Sequence, residues 1–232
     1  MSTPINYFLR EMRRVLTLRT PEGETGHTIS PDGPYDLEGD RAIEWSWVVA
    51  HLPPPRCQIL DFGCVQSALA GIAARLGHQV TAVDLREIEY EMDNVVFLRG
   101  DINELNLGGK RFDIIMNCST VEHAGLGGRY GAKEQPNGDL MPMQKLHALL
   151  KQNGRMLLTI PVGLDATFSL YHRVYGVARL PLLLEGYHVQ KSEFWIKLEM
   201  KVWKRCDMDV ALKTTGSGRY YALGLFILAR RG

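Results

Sequence analysis

The chain has no surplus of charge of either sign: 27 Lys and Arg stand against 26 Asp and Glu, a formal net charge of +1. Proteins that grip nucleic acid carry a basic surplus to neutralise phosphates, so the balance argues against nucleic acid as a partner and against attraction to anionic membrane. No apolar run approaches the ~20 residues of a membrane span, and no N-terminal stretch has the basic, apolar and small-residue order of a secretory signal. Cysteine is scarce. Cys57, Cys64, Cys118 and Cys206 form no C-x-x-C or C-x-x-x-C pair, which removes the usual spacing of zinc and thiol–disulfide sites. Two of them lie in or beside apolar runs, where small buried thiols belong. Asp139, Glu122 and His123 are metal-ligand types, but no metal-type spacing joins them, so no metal ligand is assigned and metal dependence stays open. No repeat or low-complexity tract appears. The expectation is a cytoplasmic protein of open oligomeric state, without nucleic acid or transmembrane segment.

What is present is ordinary globular composition over 232 residues, 45% hydrophobic and 23% charged, enough for one substantial core and a single domain over 1–232. "INYFLREMRRVL" (5–16) sets Ile5, Phe8, Leu9, Met12 and Leu16 at helical spacing, with arginines mostly on another face. Such a helix can touch a membrane surface peripherally, although covering its own domain is the simpler reading. Residues 18–40, carrying His27 and Tyr35, are rich in Gly, Pro and short polar residues, as lids are. Residues 1–40 thus read as an N-terminal helix and lid-like loop.

From there apolar runs and helical patterns alternate. Asp40 reads as an N-cap for "RAIEWSWVVAHL". "CQILDFG" (57–63), "HQVTAVDL" (78–85), "VVFLRGD" (95–101), "FDIIMNC" (112–118) and "RMLLTIPV" (155–162) read as strands. Helices are expected over 68–77 and 140–154, the second ending at Gly154. The alternation predicts an α/β, Rossmann-like fold with a mostly parallel central sheet and helices on both faces. Residues 41–163 would be the cofactor-binding core. Residues 164–232 would supply substrate-side and closing strands, with 187–198 and 220–230 as an antiparallel pair finishing one edge.

Ligands of such sheets sit at the carboxyl ends of the strands, near the switch point. "LDFGCVQS" closes the first core strand, and Gly63 permits the turn there. Asp84 ends the next strand, 21 residues beyond Gly63, where a carboxylate accepts from a ribose diol. Asp101 ends the third, placed to accept from an adenine amino group. NAD and S-adenosylmethionine share that adenosine. A dinucleotide needs G-x-G-x-x-G for its pyrophosphate, whereas Gly63-Cys64-Val65-Gln66-Ser67-Ala68 holds one glycine. S-adenosylmethionine tolerates that better.

The order "ILDFGCVQS", "VTAVDL", "FLRGDINEL", "FDIIMNCSTVEH", "LLKQNGRMLLTIPVG" resembles the class I S-adenosylmethionine-dependent methyltransferases. "STVEHAGLGGRYG", "PNGDL" and "YHRVYG" are similar to a bacterial and archaeal group often found with polysaccharide or glycan biosynthesis. The resemblance implies S-adenosylmethionine as cofactor and S-adenosylhomocysteine as product. It implies that Gly63 and its neighbours Asp61, Cys64, Gln66 and Ser67 hold the methionine end. Asp84 with Leu85 would bind ribose, Asp101 with Ile102 adenine, and Cys118 with Ser119 would sit near the amino acid moiety. Val65 and Ser67 stand where the family commonly has glycines.

"STVEHAGLGGRYG" would then cross the top of the cofactor site. His123 is the candidate base, with Glu122 orienting it or touching the cofactor. His172 is a further catalytic candidate. Arg129, Tyr130, Arg173 and Tyr175 are candidate contacts to a small-molecule or glycan acceptor, methylated at oxygen. The rivals are a catalytically silent binding or scaffold protein, an N-methyltransferase, and a nucleotide-dependent dehydrogenase.

Overall fold

The computed structural model describes residues 35–36, 39–65, 67–127, 130, 133–169, 171–198, 201–217 and 220–231. In chain order these form β1 (Tyr35–Asp36), α1 (Arg41–Ala50), β2 (Gln58–Phe62), α2 (Leu69–Arg75), β3 (Gln79–Asp84), β4 (Val95–Arg99) and β5 (Phe112–Cys118). A single 3-10 turn (Val121–His123) follows, then α3 (Leu140–Leu149), β6 (Leu150–Val162), β7 (Ala166–Phe168), β8 (His172–Val174) and α4 (Arg179–Leu183). β9 (Tyr187–Lys197), β10 (Val202–Cys206), α5 (Met208–Ala211) and β11 (Ala222–Arg230) complete the order. The expected helix over 5–16 and most of the lid-like loop, His27 included, lie outside the described residues.

Nine strands make one sheet in the order β1-β10-β9-β11-β6-β5-β2-β3-β4. The run from β6 to β4 is parallel, and β11, β9, β10 and β1 add antiparallel beyond it. Parallel strands covered on both faces need apolar side chains at successive positions, which is why "QILDF" and "FDIIMNC" do not alternate. Ile59, Ile114 and Leu157 point to one layer with Trp45, Val48, Leu69 and Ala73 from α1 and α2. Their neighbours Leu60, Ile115 and Leu158 point to the other, with Leu146 and Leu149 of α3 and Leu183 of α4.

Three expectations are corrected. The helix read over 140–154 stops at Leu149, and β6 begins at Leu150, paired with Phe112. The register then jumps so that Ile114 faces Arg155, which leaves residues 151–154 as a bulge. Gly154 serves that bulge rather than a helix end: a Cβ there would stand 2.8 Å from the Phe112 carbonyl oxygen. The pair β9 and β11 does not finish the sheet, because β10 and then β1 extend it. The short backbone strand Tyr35–Asp36 lies inside a stretch read as loop. Asp40 takes the N-cap position of α1 without a side-chain cap bond; its Oδ2 accepts from the Tyr221 hydroxyl instead.

Candidate active site

Chain order runs β2, β3, β4 to one side and then resumes with β5 on the other side of β2. The carboxyl ends of these strands open there into a cavity of about 440 Å³, a size and position typical of small-molecule sites. Gly63, with φ +81°, turns the chain out of β2. Thr120, in the loop after β5, packs so closely that a Cβ on residue 63 would stand 2.2 Å from its Cγ2. The two loops are therefore fitted to each other, and only glycine serves at this position.

Asp84 lines the cavity and also organises it. Its Oδ2 accepts from the Val65 amide at 2.9 Å, and its Oδ1 from the Arg86 amide at 2.9 Å. Each carboxylate oxygen has a second lone pair for a ligand hydroxyl. The residue standing where the family has glycine is thus anchored through its amide, and Ser67 accepts the Leu69 amide at 3.1 Å to start α2. Ser67 and Leu85 both line the cavity. Asp101 and Ile102 form the next wall. The Asp101 carboxylate accepts the Asn103 amide at 2.9 Å, the local turn that such residues favour.

Cys118, Ser119 and Thr120 line the far side. Ser119 holds a left-handed backbone, φ +46°, a strained conformation for a residue with a side chain. Its hydroxyl and the Thr159 hydroxyl, at 2.6 Å, both donate to Glu44, which is fully buried in α1 and paired with Arg41 at 2.7 Å. Burial pushes the Glu44 carboxyl up, Asp40 adds to this, and Arg41 opposes it.

His123 also lines the cavity. Its Nδ1 bonds the Tyr171 carbonyl oxygen, and its Nε2 lies 3.6 Å from Glu122 Oε1. Tyr130 meets the imidazole edge-on at 4.8 Å and carries the Arg86 guanidinium over its face at 4.8 Å. Glu122 is 1% exposed, and burial pushes its carboxyl from an ordinary 4.5 up to about 8. Burial thus favours its protonated form.

Several expected site residues stand elsewhere. Asp61 and Cys64 are buried behind the cavity wall; burial lifts the Asp61 carboxyl to about 7 and also raises the Cys64 thiol. Gln66 and Arg129 lie outside the described residues. His172 does not reach the cavity: it is buried edge-on to Tyr221 at 5.1 Å, with its ring 6.4 Å from that of His123. Arg173 and Tyr175 are corrected from acceptor contacts to interior residues. The Tyr175 hydroxyl donates to buried Asp139 at 3.1 Å, and Arg179 Nε donates to the same oxygen at 2.9 Å. Arg41, Trp45, Arg86 and Lys133 line the cavity unforeseen. Arg86, two residues beyond Asp84, was the findable one, whereas the α1 residues arrive by packing with no local signal. Among the described residues, no group of His, Cys, Asp and Glu could hold a metal, and no helix is long and apolar enough to cross a membrane.

This sheet order, with its antiparallel closing strands and a cavity at the switch point, is the class I S-adenosylmethionine-dependent methyltransferase fold. The 1,6-didemethyltoxoflavin-N1-methyltransferase of Burkholderia thailandensis, solved with S-adenosylhomocysteine, superposes with TM-score 0.56 at 17% identity over 100% of this chain and 92% of its own. The N-methyltransferase NodS of Bradyrhizobium japonicum gives 0.53 at 12% identity, covering both chains fully. In sequence, the chain is 26% identical over 192 residues to a ubiquinone biosynthesis O-methyltransferase of Xanthomonas axonopodis, covering 75% of this chain and 72% of that one. The chain belongs to the family described as Caenorhabditis protein of unknown function, DUF268, whose sequence model matches residues 81–209.

Proposed function

We propose that the protein is an S-adenosylmethionine-dependent methyltransferase that methylates an oxygen of a small molecule or sugar, with His123 as the base. The observation that carries this reading is the His123 ring on the wall of the switch-point cavity, with Nδ1 on a carbonyl. A carbonyl only accepts, so Nδ1 carries the hydrogen and Nε2 is the basic nitrogen of the neutral ring. The Asp84 carboxylate, the apolar side chain of Ile102 and the segment 118–120, all on the cavity wall, suit a ligand with polar ends and a flat base. Bound there, S-adenosylmethionine supplies a methyl already activated by its sulfonium charge.

The chain's own work is alignment and proton removal. Nε2 would take the hydroxyl proton as the acceptor oxygen gains the methyl, the methyl–sulfur bond of the sulfonium breaking and S-adenosylhomocysteine leaving as the neutral thioether. Tyr171 then stabilises the imidazolium through Nδ1–H. An amine acceptor would need such a base less, which favours oxygen.

His123→Ala tests this. S-adenosylhomocysteine affinity by calorimetry should stay nearly intact. Turnover on a hydroxylated acceptor found by screening should fall by about 10²–10⁴, the usual share of a general base. Collapse of cofactor affinity, or unchanged turnover, would make His123 structural.

A further inference from the structure

The motif "YHRVYG" turns its arginine inward, where it is among the most enclosed charges of the described residues. Arg173, at the centre of β8, is 2% exposed. Nη1 donates to the Ala124 carbonyl at 2.5 Å and to the Glu122 carbonyl at 3.5 Å, and Nη2 donates to the Gln135 carbonyl at 3.5 Å. Nε lies 3.7 Å from Oδ1 of Asp139, the carboxylate that Tyr175 and Arg179 also hold.

The pattern is specific. Residues 122 and 124 flank His123, and one nitrogen grips the carbonyl on each side of it. Two residues before Arg173 in the chain, Tyr171 presents the carbonyl that receives His123 Nδ1. β8 and the residue just before it therefore fix both the backbone that carries the imidazole and the acceptor that chooses its tautomer. A purely mechanical brace would not need a buried cation, since well-packed apolar groups stabilise such positions as well or better. What a planar five-donor fork adds is simultaneous direction of several carbonyls, which no apolar side chain and no ammonium reproduces.

We propose that Arg173 is a positioning residue: by holding the carbonyls of Glu122 and Ala124 it keeps the His123 ring on the Tyr171 carbonyl, in the tautomer whose Nε2 accepts a proton. The role rests on the reading of His123 as the base. Its structural half, control of the tautomer, is measurable without any acceptor.

The experiment is a long-range proton–nitrogen-15 spectrum of the imidazoles, with the His123 signals assigned by their loss in His123→Ala. Wild-type protein with S-adenosylhomocysteine should show His123 protonated at Nδ1 and bare at Nε2. Arg173→Lys, which keeps the charge and loses the fork, should show mixed tautomers while cofactor affinity stays within about twofold. With an acceptor, kcat should drop by about 10²-fold, as small misplacements of reacting groups do, with KM little changed. An unchanged Nδ1–H tautomer in folded Arg173→Lys overturns the proposal. So does a wild-type His123 protonated at Nε2, a result that needs no variant to fold. A tautomer shift in Arg173→Lys together with full turnover in His123→Ala would retain the positioning role of Arg173 and refute only the base.

Discussion

Glu122 is the group whose protonation should leave the clearest mark on stability. Buried beside the cavity, its carboxyl titrates near 8 when folded against 4.5 in an exposed state. The folded protein therefore keeps a proton that the unfolded chain releases, and stability from this group falls as pH rises between those two values. Each pH unit in that window costs about 1.4 kcal/mol, so by pH 7 the loss is roughly 3 kcal/mol. Glu122→Gln has nearly the shape of the protonated acid and does not titrate. Its stability relative to wild type should climb with that slope from pH 5 to pH 8 and level off above. For a chain of this length, 3 kcal/mol corresponds to about 6–12 °C in Tm. Urea melts of both proteins across the pH series give the difference directly. Parallel stability curves for the two proteins would refute the burial argument.

Asp84→Ala should weaken S-adenosylhomocysteine binding by roughly 2–5 kcal/mol, two charge-assisted hydrogen bonds' worth; unchanged affinity by calorimetry in a folded variant would remove Asp84 from the site. Gly63→Ala should destabilise by about 1–3 kcal/mol through its left-handed backbone and the collision with Thr120. Adding Thr120→Gly should return part of that loss, and strict additivity of the two changes in denaturant melts would show that the loops are not fitted as described.

The parallel core is legible because apolar periodicity and strand-end residues report local requirements: the β5 run stands out with its end at Asn117 or Cys118, and Gly63, Asp84, Asp101 and Cys118 fall at or just past the strand ends that form the cavity. Signals with two physical meanings misled. Gly154 reads as a helix stop, yet it is there for a close backbone approach in the β6 bulge. Arg173 and Tyr175 read as substrate groups because they are polar and aromatic near a strand end. Their burial depends on Asp139, which stands 36 residues from Tyr175 in the chain and which Arg179 also holds. Glu44 and Arg41 reach the site only through packing of α1 across β5 and β6, which no local pattern encodes.

The two-residue strand β1 pairs Tyr35 with Trp203 and Asp36 with Val202, so it covers the outer backbone of β10. A chain cut just before α1 would keep every described residue that lines the cavity and lose that cover. The amides and carbonyls of β10 would then face solvent along an open edge, the template on which strands of other molecules add. Shortened forms should therefore cluster into oligomers or aggregate through β10 while each copy still carries the described residues of the cavity wall. Loss of solubility and loss of ligand binding would come apart.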